Sequence, residues 1–244
     1  GERFDSDASG SDILFPHREN VRGSGKAATG GPLANYWINT ELVMLEGKKM
    51  SRSLKNVCTL EDLEKKGYEG REIRYFLLSS HYRKPLNFSF GALDTARNTV
   101  RRLNGFLQRL FRLTPGAGFP DMDQYLYDVR KEFTDAMDDD FNISGALAAL
   151  FEFVRKVNVP LAEDLLSEKE RDRALRELET VNSVISVMDF EPKRLPGEAE
   201  GLLKRREAAR RAGNWSESDR IRRELEDMGI RLQDTPEGTL WTIH

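Results

Sequence analysis

The sequence predicts a mainly α protein: a partial α/β segment at the N-terminus, then an antiparallel helical bundle, then a small α+β C-terminal unit. Three observations predict it. From about residue 59 to 188, apolar residues recur at spacings of three and four, the period of helices with one buried face. Before residue 48, short apolar runs alternate with Gly- and Pro-punctuated stretches, a pattern of strands mixed with helices. Beyond Pro192 and Pro196, two short charged helical patterns precede two strand-like runs around a turn.

Composition narrows the classes. The chain has 244 residues, 39% hydrophobic and 32% charged, with a mean hydropathy of -0.59. That length can bury a core divided over two or three units, and the balance suits a soluble helical protein. No apolar run reaches membrane-spanning length and no signal peptide is visible, so no membrane is expected as a partner. Cys58 is the single cysteine. It excludes an internal disulfide and fits a reducing, cytoplasmic compartment. With a net charge of -3, nucleic-acid binding has to come from local patches rather than a global field.

Taken in order, residues 1–12 are small and acidic and read as a loop. Ile13-Leu14-Phe15 reads as a short buried strand stopped by Pro16. A Gly-punctuated stretch at 23–31 follows, then Tyr36-Trp37-Ile38 and residues 42–45 resume the apolar pattern. Together they suggest part of an α/β layer whose parallel sheet needs cover on both faces. Thr59 with Asp62 three residues on is capping-box-like, and Gly67 is placed as a stop. A helix at about 69–80 puts Ile73, Phe76 and Leu77 on one face. Leu93, Ala96, Val100, Leu103, Leu107 and Leu110 then form one long seam. Arg97, Arg101, Arg102, Arg109 and Arg112 lie on other faces, either solvated or against an RNA backbone.

Residues 113–120, with two Pro and two Gly, are a linker. Further helices carry Tyr125, Leu126, Val129, Phe133 and Ala136; Phe141, Leu147, Leu150, Phe151 and Val154; and Leu175, Leu178, Val181 and Ile185. Together they make an antiparallel bundle. Asp138-Asp139-Asp140 invites a Mg²⁺ or Ca²⁺ reading. Adjacent helical residues diverge, however, which favours capping and interhelix hydrogen bonds. In the C-terminal unit, Lys204, Arg205, Arg206, Arg210 and Arg211 crowd one helix and Gly213 breaks it. Asn214 with Glu217 caps the next, which carries Arg220, Arg222 and Arg223 outward and Trp215, Ile221, Leu225 and Met228 as core. Residues 230–232 and 240–243 read as two strands. Trp241 either packs a mini-core or stacks on an unpaired base.

The chemistry concentrates in residues 46–63, EGKKMSRSLKNVCTLEDL, around Lys49-Met50-Ser51-Arg52-Ser53. Two cations and two hydroxyls follow a strand-like run. Lys49 and Arg52 can neutralise phosphate oxygens that gain charge as pyrophosphate leaves, while hydroxyls and backbone N–H groups hold the rest. The bland reading is a solvated basic turn before a helix. Cys58 beside it reads as a small apolar-turn residue, not a nucleophile.

This stretch resembles the KMSKS loop of class I aminoacyl-tRNA synthetases, with Arg52 in place of the second lysine. Arg74-Tyr75-Phe76-Leu77-Leu78-Ser79-Ser80-His81-Tyr82-Arg83 with Pro85-Leu86-Asn87-Phe88-Ser89, Ala136-Met137-Asp138-Asp139-Asp140-Phe141-Asn142, and the tail from Asn214-Trp215 to Gly229-Ile230 narrow the resemblance to cysteinyl-tRNA synthetase. It covers nearly the whole chain and implies its C-terminal part, lacking the HIGH-motif half. The implied division is 1–48, remnant of a Rossmann-like catalytic domain; 49–84, the loop and following helices; 85–192, a tRNA-binding helical bundle; and 193–244, a small basic anticodon-recognition unit. The resemblance implies ATP-dependent attachment of cysteine to its tRNA, with ATP, Mg²⁺ and Zn²⁺ as cofactors and the tRNA and a missing N-terminal half as partners. It places Lys49 and Arg52 in catalysis, Lys49, Met50, Ser51, Arg52 and Ser53 on ATP, and Lys204, Arg205, Arg206, Arg210, Arg211, Arg220 and Trp241 on tRNA.

The departures cluster at the implied active site. His17 matches a family zinc ligand in a segment of the form FPHHENE, but Arg18 replaces the next histidine and Val21 the ligating glutamate. A Gly-rich run of the form DIHGGG aligns with Asp5-Ser6-Asp7-Ala8-Ser9-Gly10, whose side chains oppose close approach by a nucleotide. Asn39 and Lys55 replace a histidine and a glycine. Three readings follow: a synthetase part whose ligase function belongs to a larger assembly; an inactive derivative or paralogue that binds tRNA; or a cysteine ligase acting on a small amine, like the related mycothiol-pathway enzyme. The basic C-terminal unit argues against the last.

Overall fold

The computed structural model describes residues 3–51, 56–192, 195–235 and 238–243. Arg52, Ser53 and Lys55 lie outside the described residues. The chain divides into two compact units. One comprises Gly1–Asn98, Phe133–Ala148 and Ile185–Val187; the other comprises Thr99–Glu132, Ala149–Val184 and Met188–His244.

The first unit opens with a parallel β–α–β crossover. Strand β1 (Phe4–Gly10) pairs with β2 (Ala34–Thr40) in a register from Phe4 opposite Ala34 to Gly10 opposite Thr40. Two tight turns, Ser11–Ile13 and Leu14–Arg18, and helix α1 (Glu19–Thr29) join them. Here the structure corrects the sequence reading twice. Residues within 1–12 form a strand, because β1 is specified by backbone pairing with β2 and not by an apolar pattern. Ile13, Leu14 and Phe15 form no buried strand; they lie in the turns, with Phe15 79% exposed. Gly25 permits the close approach of α1 to the chain entering β2, since a Cβ there would fall 2.9 Å from Leu33 Cβ.

Strand β3 (Val43–Leu45) pairs antiparallel with β4 (Lys48–Lys49) and parallel with β5 (Leu86–Phe88). Between them lie α2 (Leu60–Lys65) and α3 (Gly70–Leu78). The expected capping box at Thr59 and Asp62 is present, and Gly67 stops the helix at φ 77°. Leu63, Tyr68, Ile73, Phe76, Phe88, Leu93 and Ala96 form the local core. Leu77, expected on the same face as Ile73 and Phe76, is 51% exposed. Its side chain lies on the flank of a nine-residue helix whose buried stripe is Glu72, Ile73 and Phe76.

Helices α4 (Phe90–Phe111), α5 (Met122–Asp138), α6 (Ile143–Ala162) and α7 (Glu168–Ile185) follow. Within the second unit, polar ties fix their directions. Asp123 pairs with Arg173 and, a turn or two further along both helices, Glu177 pairs with Arg130, so α5 and α7 run the same way. Arg109 near the end of α4 reaches Asn158 near the end of α6 at 2.6 Å. The two pairs give the up-and-down order of an antiparallel bundle. Val100, Leu103, Phe106, Leu107 and Leu110 are fully buried on α4, as are Leu150, Phe153 and Val157 on α6. Gly116 sits where a Cβ would fall 2.1 Å from Asp164 O, so no larger residue fits that linker. Phe141, read as core, is instead 52% exposed, because it stands at φ 54° in the turn before α6.

The C-terminal unit packs α8 (Gly197–Arg211) and α9 (Trp215–Asp227) against the hairpin β6 (Ile230–Thr235) and β7 (Gly238–Ile243). Its core is Leu195, Ala199, Leu202, Leu203, Ile221, Leu225, Ile230 and Leu232. Asn214 accepts from Glu217 N, as its sequence position predicts. Trp215 and Met228, read as core, are 62% and 37% exposed. They occupy the two ends of α9, outside the stripe Ser218, Ile221 and Leu225 that faces inward.

Candidate nucleotide loop and nucleic-acid surface

The basic loop grows out of the β3–β4 hairpin. Met50 N donates to Val43 O at 3.3 Å. Asn56 clamps the two limbs: it accepts from Ser51 N at 2.9 Å and donates to Lys49 O at 3.0 Å. Sequence reading did not single out Asn56; the signal was an Asx side chain five residues past a turn, where such residues bond local backbone. Lys49 Nζ rests on Asp12 at 3.2 Å, both half exposed. An exposed pair of this kind is worth ~0–1 kcal/mol, so a phosphate can displace the carboxylate. Burial pushes the Cys58 thiol up from its ordinary value, which disfavours a reactive thiolate and agrees with its reading as a turn residue.

Beyond the loop, three consecutive side chains converge on Asp140, two on its carboxylate and one on its backbone carbonyl. Arg83 forks onto Asp140 at 2.6 and 3.0 Å, Tyr82 OH donates to it at 2.5 Å, and His81 Nε2 lies 3.1 Å from Asp140 O. The Arg83 and Tyr82 hydrogen bonds hold the Asp140 pKa near about 2. Of the Asp138-Asp139-Asp140 run, Asp140 thus ties the turn after α5 to the segment after α3 by hydrogen bonds. Among the described residues no group of three or more His, Cys, Asp or Glu is arranged to hold a metal ion.

The basic surface is more internally paired than its composition implies. Across 193–244, eleven Lys and Arg stand against ten Asp and Glu. Arg206 is 1% exposed and forks onto Asp234 at 2.9 and 2.7 Å, with Thr239 Oγ1 at 3.0 Å. Arg210 joins the same carboxylate at 2.5 Å and Arg222 approaches at 3.8 Å. The Arg206 hydrogen bonds lead in holding Asp234 near about 2. Lys204, Arg205, Arg211 and Arg220 are exposed. Lys204 pairs with Glu200, and Arg205 and Arg220 share Glu217. On α4, Arg97 is drawn inward by Glu72 and stacks on Tyr68, whereas Arg101 and Arg102 face solvent.

Trp241 is half-buried against the C-terminal core, its indole N–H buried without a hydrogen-bond partner and its ring 5.2 Å from the Arg112 guanidinium. Burial lowers the Arg112 pKa and raises that of Glu207, which faces Arg112, Arg211, Arg109 and Arg206. Trp215, by contrast, presents an open ring at the start of α9.

Comparison with known proteins matches this architecture. The model of the class I (C) tRNA synthetase catalytic domain matches residues 1–98, the DALR domain 132–190, and the cysteinyl-tRNA ligase anticodon binding domain 193–241. A LeuRS of Agrobacterium radiobacter, crystallised as a LeuRS–tRNA–LeuAMS ternary complex, superposes with a TM-score of 0.55 at 18% identity, over 80% of this chain and 29% of its own. The catalytic-domain match over residues 1–98 gives the class, a class I aminoacyl-tRNA synthetase. A cysteine–tRNA ligase of Protochlamydia amoebophila is 34% identical over 98% of this chain and 50% of its own length, and one of Actinobacillus pleuropneumoniae serotype 3 is 40% identical over 99% and 52%. The chain belongs to the cysteinyl-tRNA synthetase family and corresponds to its C-terminal part, spanning about half the length of these curated relatives.

The zinc that this family implies does not fit the residues present. His17 is exposed, Val21 one turn on offers no ligand, and no carboxylate or thiolate cluster accompanies them among the described residues. No helix among the described residues is long and apolar enough to cross a membrane.

Proposed function

We propose that this chain supplies the tRNA-docking part and the phosphate loop of a cysteine–tRNA ligase, which attaches cysteine to its tRNA at the expense of ATP. The observation that carries the proposal is the unbroken order of catalytic-domain, DALR and anticodon-binding matches along one chain. In this reading Lys49 leaves Asp12 for the nucleotide phosphates, Arg52 joins it, and Met50, Ser51 and Ser53 line the loop. ATP supplies the activating phosphoanhydride, and Mg²⁺ enters with its phosphates. Lys204, Arg205, Arg211 and Arg220, with Arg210 at the edge, hold the RNA backbone. Arg206 and Trp241 support that surface from within, and Trp215 offers the stacking face. The residues 1–48, 49–84, 85–192 and 193–244 remain the working functional division, and the rest of the catalytic domain is a partner in cis or in trans.

The test is binding of the full chain to cysteine tRNA and to a non-cognate tRNA across a salt series. Selective binding that weakens with salt supports the proposal; equal affinity for both tRNAs refutes it. One observation favours a second reading, a tRNA-binding derivative without adenylation chemistry: the buried Arg18 is bonded to Asp7, Ser9 and Asn39 of β1 and β2.

A further inference from the structure

Open parallel sheets bind ligands in the crevice beyond the carboxyl ends of their strands. In this chain the guanidinium of Arg18 lies at that end of the sheet, against Asp7 and Ser9 of β1 and Ile38 and Asn39 of β2. Arg18 is 3% exposed. Its Nη1 donates to Ser9 Oγ, to Ile38 O at 3.0 Å and to Asn39 Oδ1 at 2.5 Å. Its Nη2 donates to Asp7 O at 2.7 Å and Asp7 Oδ1 at 2.9 Å. The acceptors come from both strands, and the cation comes from the turn that connects them. Trp37 covers the group at 4.8 Å, and Arg22, one turn along α1, approaches the same ring at 5.1 Å.

We propose that Arg18 is the internal occupant of this crevice: a self-filled site that excludes a divalent metal and staples β1 to β2 in its place. The inference stands whether or not the chain binds tRNA. A guanidinium is a cation, so it repels a metal ion at this position. It also takes the Asp7 carboxylate beside it. Ser9, Asp7 and Asn39 are the acceptors it requires, so these positions act as one unit with Arg18. Bidentate and charge-assisted bonds from a planar fork give the staple a geometry that lysine cannot reproduce.

The experiment uses the full chain and inorganic zinc as the probe. Metal content is read after dialysis against zinc, and hydrogen exchange is read at the amides of β1 and β2. The chain retains no stoichiometric zinc, and its protection pattern is the same with zinc or with chelator. Arg18→Met keeps the volume and loses the cation; protection in β1 and β2 falls by about tenfold or more, the equilibrium equivalent of losing a charged hydrogen bond. Arg18→Lys restores only part of it. Where Arg18→Met does not fold, Asn39→Ala removes one acceptor and lowers protection in the same two strands. One zinc per chain that is lost in His17→Ala overturns the proposal. So does unchanged β1–β2 protection in Arg18→Met or, where that variant fails to fold, in Asn39→Ala.

Discussion

Single carboxylates organise this molecule. Asp234 carries three arginines, and its folded-state pKa of about 2 lies below the ordinary carboxylate value near 4. A depressed folded pKa means stability that is fully present above the unfolded value and lost as pH falls through the folded one. The C-terminal unit is therefore expected to lose on the order of 2 kcal/mol between about pH 4 and about pH 2. Asp234→Asn removes that acid slope in a denaturation series, and at neutral pH it costs on the order of 3 kcal/mol by leaving Arg206 buried without its counter-charge. An unchanged slope would show that Asp234 is not the titrating group. At the loop, Asn56→Ala is expected to raise hydrogen exchange at the Ser51 amide, because its acceptor is gone. Exchange at the Leu63 amide inside α2 stays as it was, so a rise there too would point to general unfolding instead of loss of the clamp.

Elements were legible where periodicity and local chemistry agree. The α4 seam, the Thr59–Asp62 box, the Asn214 cap and the β6–β7 hairpin all follow from residues within one or two turns of each other. What periodicity missed is β1, whose FDSDASG sequence carries no apolar alternation; long-range pairing with ANYWINT made it a strand. Of the two C-terminal tryptophans, Trp215 was misassigned to the core, while Trp241, read as either core packing or a stacking ring, packs on the core. A helix end escapes the inward stripe, so Trp215 is open, while Trp241 lies on a strand laid over a core and is covered. Trp215→Ala is expected to leave thermal stability nearly unchanged and weaken RNA affinity, whereas Trp241→Ala lowers the melting temperature. The reverse pattern of effects would refute this assignment. Asn214→Ala removes the α9 cap and costs ~1 kcal/mol, measured by chemical denaturation.

At the scale of the whole molecule, charge pairing sets the terms of the proposed RNA contact. The net charge is -3, and the arginines of α8 and α9 are matched almost one for one by acids. Binding then means exchanging weak exposed pairs for phosphate, and the salt slope should be shallower than the count of basic residues predicts. Titrating tRNA binding against salt in Glu217→Gln, which removes the carboxylate that Arg205 and Arg220 share and leaves Arg220 its pair with Glu224, is expected to steepen the slope; an unchanged slope would mean that Arg205 stays off the RNA. Sequence singled out Lys49 as a candidate and the altered positions around His17; the Arg18 network, assembled from two strands and a turn, required the fold.

The three tryptophans occupy three different optical environments. Trp37 is half-buried beside two guanidinium groups, Trp215 is largely open to solvent, and Trp241 is half-buried under one guanidinium with its N–H enclosed. A collisional quencher such as acrylamide will therefore reach Trp215 first. With Trp215 replaced by Phe, the remaining emission comes from one indole in each compact unit. Native fluorescence can then follow the opening of the two units without any attached dye.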